Sequence, residues 1–273
     1  MSFKKRTATA AVLLGLVFLL FQYAPRLVFF LVLQGVILAA LVEFYSLAQK
    51  RKLYPQRALG LVMAAVLGLS FFFPHEFPFM MALFCCFLIQ TFYFLFVFTT
   101  IEMLPRFSSS IAVTMFGVLY LSFTLGFFYP LRFEWGAYTA YFLFGVIFLG
   151  DTGAYLVGRA IGRHKMTPLA SPHKTWEGAV AGILTACLAG ILGKIVLVPW
   201  ITWGQAVICA FLVHVVAQAS DPLESLFKRA VGVKDSSNLL PGHGGFLDRV
   251  DSLILAAPFF YYFITFFWKK GGP

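Results

Sequence analysis

Charge is what this sequence has least of. Only 11 of its 273 residues are acidic, and charged residues of both signs make up 12% of the chain, about half the share found in soluble domains. With 60% of residues hydrophobic, too little polar surface is left to coat a globule, which excludes a soluble globular protein. Cysteine is also scarce. Cys85, Cys86, Cys187 and Cys209 all fall inside apolar runs and have no paired ligand spacing with histidine, so they read as small core residues rather than a metal cluster. No internal repeat or low-complexity tract is visible. No small-residue cleavage pattern follows the first apolar run, so that run is expected to stay as the first span and not to leave as a signal peptide.

What is present is a succession of apolar windows at about 8–23, 27–48, 57–73, 78–99, 110–129, 136–158, 178–198, 204–224 and 251–268, each near the ~20 residues that a spanning helix needs. The expected fold is all-α: a polytopic integral membrane helical bundle of about nine transmembrane helices, the third and ninth windows short enough to be tilted or partly re-entrant. One integral domain over 1–273 is expected, with low motif content in 1–135 and the chemistry in 136–273. The net charge of +10 does not point to nucleic acid, because the basic residues lie in short loops between apolar runs. With the N-terminus in the cytoplasm, sixteen of the 21 Lys and Arg fall on the inner side and only Arg26, Arg132, Lys194, Lys269 and Lys270 on the outer side, the asymmetry that sets membrane topology. Two connections, about 159–177 and 225–250, are longer than the rest and on this count both face the cytoplasm; loops of that length need a reason to exist.

The few acids carry information, since a lone carboxylate in hydrocarbon is costly. Glu76, Glu102 and Glu134 read as solvated loop residues, and Glu43, near the inner end of the second window, as a snorkelling side chain. Asp151 interrupts the sixth window roughly 20 Å from its outer end at 1.5 Å per residue, Asp221 comes late in the eighth, and Asp248 with Asp251 begins the ninth. These segments would bring carboxylates to one depth, a hydrated site in the inner leaflet. Asp248 and Asp251 stand at i and i+3, on one helical face, and hard oxygen ligands of this kind suit Mg²⁺, with Asp221 able to complete the set. An ordinary helix-start cap is the bland alternative. Just before the pair, Pro241-Gly242-His243-Gly244-Gly245 would let backbone amides approach an anion, with Lys228, Arg229 and Lys234 upstream to neutralise it. The other long loop carries Ser171-Pro172-His173-Lys174-Thr175-Trp176-Glu177-Gly178, in which Lys174 is a candidate phosphate binder. His214, seven residues before Asp221, shares a face with it and reads as an interhelical hydrogen-bonding group. Trp135, Trp200, Trp203 and Trp268 read as outer-interface markers.

The 27 consecutive positions from Ser225-Leu226-Phe227-Lys228-Arg229 through Lys234-Asp235 to Leu240-Pro241-Gly242-His243-Gly244-Gly245-Phe246-Leu247-Asp248-Arg249-Val250-Asp251 resemble the CDP-diacylglycerol synthase, or phosphatidate cytidylyltransferase, family. Gly150-Asp151-Thr152-Gly153-Ala154-Tyr155 and the Ser171–Gly178 segment are similar to family segments too, while the N-terminal half matches only in hydrophobic character. The resemblance implies a Mg²⁺-dependent reaction in which the phosphate of phosphatidic acid attacks the α-phosphorus of CTP, giving CDP-diacylglycerol and pyrophosphate. It implies metal ligation by Asp221, Asp248 and, as a less certain neighbour, Asp251, with Asp221, Asp248 and Lys174 carrying the reaction. Lys174, Lys228, Arg229 and Lys234 would meet phosphates; His243, Gly244 and Gly245 would shape the nucleotide site, and Asp151, Ser171, Ser225 and Arg249 belong to the same substrate-binding set. A potassium ion beside the magnesium and a homodimer are implied by the family alone. The compact length points to a bacterial inner membrane, with the site facing the cytoplasm.

Where the family usually has Gly-Asp-Leu before Glu-Ser, this chain has Ser220-Asp221-Pro222-Leu223-Glu224-Ser225. Proline lacks the amide donor and disfavours helical geometry at the residue before it, so a kink or break at Asp221 is expected. That departure is the one hint of a rival reading, an inactive homologue that binds phosphatidic acid; retention of Asp248, Asp251 and Lys174 argues against it. A cation-coupled transporter would predict inverted repeats, and none is seen.

Overall fold

A computed structural model describes the backbone of residues 3–237 and 244–268, with side chains from residue 12 onward; His243 of the glycine segment therefore lies outside the described residues. The chain is nearly all helical, in the order α1 (Phe3–Tyr23), α2 (Arg26–Lys50), α3 (Arg57–Phe72), α4 (Phe79–Val97), α5 (Leu104–Gly117), α6 (Thr124–Gly126), α7 (Phe128–Glu134), α8 (Ala137–Ile161), β1 (Lys165–Thr167), β2 (Ser171–Thr175), α9 (Trp176–Val196), α10 (Trp203–Ala230) and α11 (Leu247–Phe267). Each of the nine apolar windows coincides with helix to within about two residues at its ends. Among the described residues seven helical stretches are long and apolar enough to cross a membrane: α2, α4, the composite Ile101–Glu134, α8, α9, α10 and α11; Val12–Tyr23 and α3 are shorter apolar helices. Helices dominate because in hydrocarbon every backbone amide and carbonyl has to be satisfied within its own segment.

Several boundaries differ from expectation for local reasons. The fifth window is the centre of the composite stretch, in which a π-helical segment, Val118–Phe123, separates α5 from α6; such wide turns leave no mark in hydropathy. The ninth window lengthens into the 21-residue α11, since Asp248-Arg249-Val250-Asp251 is itself helical. The connection at 159–177 contains an antiparallel hairpin, β1 against β2, and the 225–250 connection shrinks because α10 runs on to Ala230. It does so straight through Pro222. The break expected there does not occur: proline costs the helix the hydrogen bond to the carbonyl of Gln218, yet Ser225 and Lys228 beyond it bond back one turn to Asp221 and Glu224.

The chain forms two compact units, Met1–Tyr129 with Ala230–Arg249, and Pro130–Arg229 with Val250–Pro273. In the first, the ring of Tyr45 on α2 occupies the space over Gly60 of α3 and Gly117 of α5, where any Cβ would collide with it. Its hydroxyl donates to the Thr114 carbonyl at 2.7 Å. The carbonyl of Ala64 accepts from both Gln34 at 3.1 Å and Ser122 at 2.9 Å. Hydrogen bonds of this sort between helices replace the hydrophobic drive that is missing in lipid.

The second unit is organised by small residues. Gly178, Gly182, Ala186, Ala189, Gly190 and Gly193 make the buried stripe of α9, which lets backbones approach closely. α9 is launched by Thr175, whose side chain accepts from the Gly178 amide at 3.2 Å, a helix cap. Gly182 has Ala154 of α8 and His214 and Gln218 of α10 packed against it. Trp268 is buried among Trp135, Phe142 and Phe260, a core side chain at its helix end.

This packing predicts that Gly182→Ala lowers stability by about 1–3 kcal/mol, the usual cost of overfilling a tight contact. Gly145→Ala, which has open space around it, should leave the melting temperature in detergent unchanged.

Candidate active site

In the second unit, charged side chains gather from four elements that are distant in sequence. Asp151 comes from α8, Lys174 from β2, Asp221 and Lys228 from α10, and Asp251 from α11. Lys174 Nζ lies 2.8 Å from Asp221 Oδ2, and the Ser225 hydroxyl, one helical turn on, donates to Asp221 Oδ1 at 3.3 Å. Asp151 interacts electrostatically with both members of that ion pair, and Asp251 with Asp221, Asp151 and Lys228. Asp151, Asp221 and Asp251 thus lie within electrostatic reach of one another in this unit; Asp248, expected beside them, belongs to the first unit. The start of α11 is tied to α10 through Ser220, whose hydroxyl donates to the Asp251 carbonyl; the Asp251 carboxylate accepts from the Ser252 amide at 2.7 Å.

Two ion pairs in this cluster differ in access. The Lys174 and Asp221 side chains keep 27% and 31% of their surface open, so an incoming anion can reach the ammonium and a cation the carboxylate. Lys228 Nζ lies 2.5 Å from Glu224 Oε2, with only 9% and 0% exposed. Lys228, expected to face phosphate, is turned inward onto a carboxylate one turn behind it. Arg229 is exposed, and its Nε–H donates to the Ala170 carbonyl at 3.4 Å, fastening the end of α10 to the hairpin that carries Ser171 and Lys174. Beneath these groups, His214 is fully buried against Gly150 and Gly182. Its Nε2 lies 2.9 Å from Gln218 Nε2 on the same helix, so the interhelical bond expected of it is made instead by Gln218, which donates to the Ala179 carbonyl of α9 at 3.1 Å.

In the first unit, the residues flanking the glycine segment converge on two carboxylates. Asp248 Oδ2 accepts from the Ser236 amide at 2.9 Å, the Ser236 hydroxyl at 2.9 Å and the Gly245 amide at 2.8 Å. Glu43 of α2, 3% exposed, accepts from the hydroxyls of Ser236 and Ser237 at 2.8 and 2.7 Å and from the amides of Phe246 and Leu247 at 3.1 and 2.9 Å. The amide of Gly245, expected to cradle a bound anion, thus cradles one of the protein's own. Both glycines are required: Gly244 has φ +77°, and a Cβ on Gly245 would strike Ser236 and Glu43. Lys234 and Arg249 are exposed in this unit.

Hard oxygen donors beside open basic groups suit a divalent cation with a polyphosphate. Among the described residues no group of three or more His, Cys, Asp or Glu side chains is placed to hold a metal by itself. Mg²⁺ is ordinarily held by one or two carboxylates, the remainder being waters and phosphate oxygens, and Asp221 with Asp251 fits that partial set. A family model described as "Cytidylyltransferase family" matches residues 4–267. The chain belongs to the cytidylyltransferase family. It is 45% identical over 139 residues to the phosphatidate cytidylyltransferase of Brucella suis, 50% of this chain and 51% of that protein. It is 42% identical over 140 residues to the protein of that name from Haemophilus influenzae, covering 48% and 47%, and 40% identical over 149 residues to that of Staphylococcus saprophyticus, covering 55% and 54%. The chain spans about half the length of the curated relatives it matches.

In this cytidylyltransferase family member, two acids outside the expected site set are buried and bonded, Glu224 to Lys228 and Glu43, expected to snorkel, to four donors. Glu224 was legible from its i, i+4 spacing to Lys228. Glu43 was legible only as a scarce acid inside an apolar window, since its partners lie some 200 residues away in the chain.

Removing one member of a buried ion pair strands the other, at a cost of about 3–5 kcal/mol. Lys228→Met alone should therefore lower the melting temperature of the detergent-solubilised protein more than the double change Lys228→Met with Glu224→Leu does.

Proposed function

We propose that this chain transfers the cytidylyl group of CTP to phosphatidic acid, forming CDP-diacylglycerol and releasing pyrophosphate. The observation that carries the reading is the open Lys174–Asp221 pair with Asp151 and Asp251 around it, in a chain of the cytidylyltransferase family. In the reaction an oxygen of the phosphatidic acid phosphate forms a bond to the α-phosphorus of CTP, and the bond from that phosphorus to the oxygen leading to the β-phosphate breaks. The leaving pyrophosphate takes the electron pair. No protein nucleophile is required, so the side chains have to bring two anions together and hold the attacking and leaving oxygens in line.

Lys174 is assigned to the phosphates, exchanging its Asp221 partner for a phosphate oxygen; Arg229, exposed in the same unit, would meet the rest of the polyphosphate, and Lys234 is a phosphate candidate on the sequence pattern alone. Lys228 supplies positive potential to Asp251 from its buried pair rather than by contact. Asp221 and Asp251 are assigned to Mg²⁺; the sequence pattern puts Asp248 beside Asp221 with Asp251 as their neighbour, and Asp248 Oδ2 is already met by Ser236 and Gly245. A bound divalent ion would supply charge neutralisation and polarisation of the phosphoryl group. Potassium as a companion ion and a homodimer rest on the resemblance alone. The excess of basic residues on one side supports a site facing the cytoplasm, where CTP and a membrane-held lipid can meet, and the bacterial relatives support an inner membrane. The unbroken α10, with Asp221 held by Lys174 and Ser225, favours this reading over an inactive homologue.

Purified protein in detergent should convert phosphatidic acid and CTP to CDP-diacylglycerol with stoichiometric pyrophosphate in the presence of Mg²⁺. Asp221→Asn and Lys174→Ala should each lower kcat/KM by about 10²- to 10³-fold, the usual loss when a charge-stabilising group is removed. Folded protein that binds phosphatidic acid without turnover would discard the assignment, and full activity in both variants would discard the site.

A further inference from the structure

Glu43 sits on α2, far in sequence from every motif, yet its carboxylate is the most fully engaged group in the first unit. Each oxygen takes one hydroxyl and one backbone amide: Oε1 from Ser237 and Phe246, Oε2 from Ser236 and Leu247. That fills the roughly four acceptor positions a carboxylate has, and all four donors are neutral. The amides of Phe246 and Leu247 stand at the N-terminus of the 21-residue α11, where unpaired N–H groups and the helix dipole favour a negative charge. The donors also come from both sides of one segment, Ser236 and Ser237 before it and Phe246 and Leu247 after it. Asp248 repeats the pattern through Ser236 on one side and Gly245 on the other. The Ser236 hydroxyl lies 2.8 Å from Glu43 Oε2 and 2.9 Å from Asp248 Oδ2, so its single proton links the two carboxylates.

We infer that Glu43 is a positioning residue for nucleotide binding: it holds Ser236 and Ser237 to Phe246 and Leu247 and seats the first turn of α11, which fixes Gly244, Gly245 and the Asp248 carboxylate in place. The inference rests on the proposed cytidylyl transfer for the word nucleotide, and on the hydrogen bonds alone for the clasp. A glutamine is nearly isosteric, but its amide nitrogen is a donor aimed at donors. A Ser hydroxyl can turn to accept from it; a backbone N–H cannot.

The test compares wild type, Glu43→Gln, Glu43→Asp and the milder Ser237→Ala in the full chain in detergent, reading KM for CTP and for phosphatidic acid separately, together with hydrogen exchange of peptides covering 236–247. Expected for Glu43→Gln is a rise in KM for CTP of about tenfold to a hundredfold, the scale on which supporting residues act. KM for phosphatidic acid should be unchanged, and faster exchange confined to 236–247. Glu43→Asp, which keeps the charge and both acceptors, should recover part of the loss, and Ser237→Ala should show the same signature more weakly. Unchanged exchange at 236–247 overturns the inference, as does a fall in kcat with both KM values unchanged or faster exchange throughout the bundle, either of which makes Glu43 a general structural residue. If the wild type does not turn over CTP, the proposed reaction fails on its own, and the exchange measurement alone decides the clasp: faster exchange confined to 236–247 upholds it and unchanged exchange removes it.

Discussion

A carboxylate inside an apolar helical protein has to find its donors within the chain, and that requirement shapes the polar anatomy of this one. Water is not at hand to complete a half-met set, and an ion left unmatched costs several kcal/mol. Three of the chain's acids are met in three different ways. Glu224 takes a lysine of its own helix, Asp221 an ammonium from the hairpin between α8 and α9, and Glu43 a ring of hydroxyls and amides. The first arrangement closes the charge away, the second leaves it reachable, and the third spends it on backbone geometry. Only the second is built for exchange with something from outside.

The apolar helices were legible in sequence because lipid enforces the relation between hydropathy and helix length. Helix ends were less so. Beyond Pro222, side chains of α10 bond back along the helix at i, i+4 spacing, which is local and readable, whereas the amides at the start of α11 are met by Glu43 of a distant helix, which is not. The π-helical segment before α6 has no such signature.

The site divides the same way. Asp151, Lys174, Asp221 and Asp251 could be picked out because polar residues are rare here, and the second unit gathers them. Lys228 was identified as a charge but not by direction: nothing in a one-dimensional pattern says whether an ammonium points outward to a ligand or inward to Glu224. Glu43 escaped because a snorkelling acid and a clasping acid have the same neighbours in sequence. The Gly245 amide closes on an anion that is covalently part of the chain, and a motif records the need for close approach without naming what approaches.

The half-open Lys174–Asp221 pair makes ligand entry a trade rather than a capture. Before anything arrives, the lysine and the aspartate already satisfy one another, and neither needs a loosely held ion from solution. An anion and a cation entering together can each take one partner, leaving the number of opposite-charge contacts no smaller than before. The net gain is then the difference between two well-matched arrangements, small compared with either.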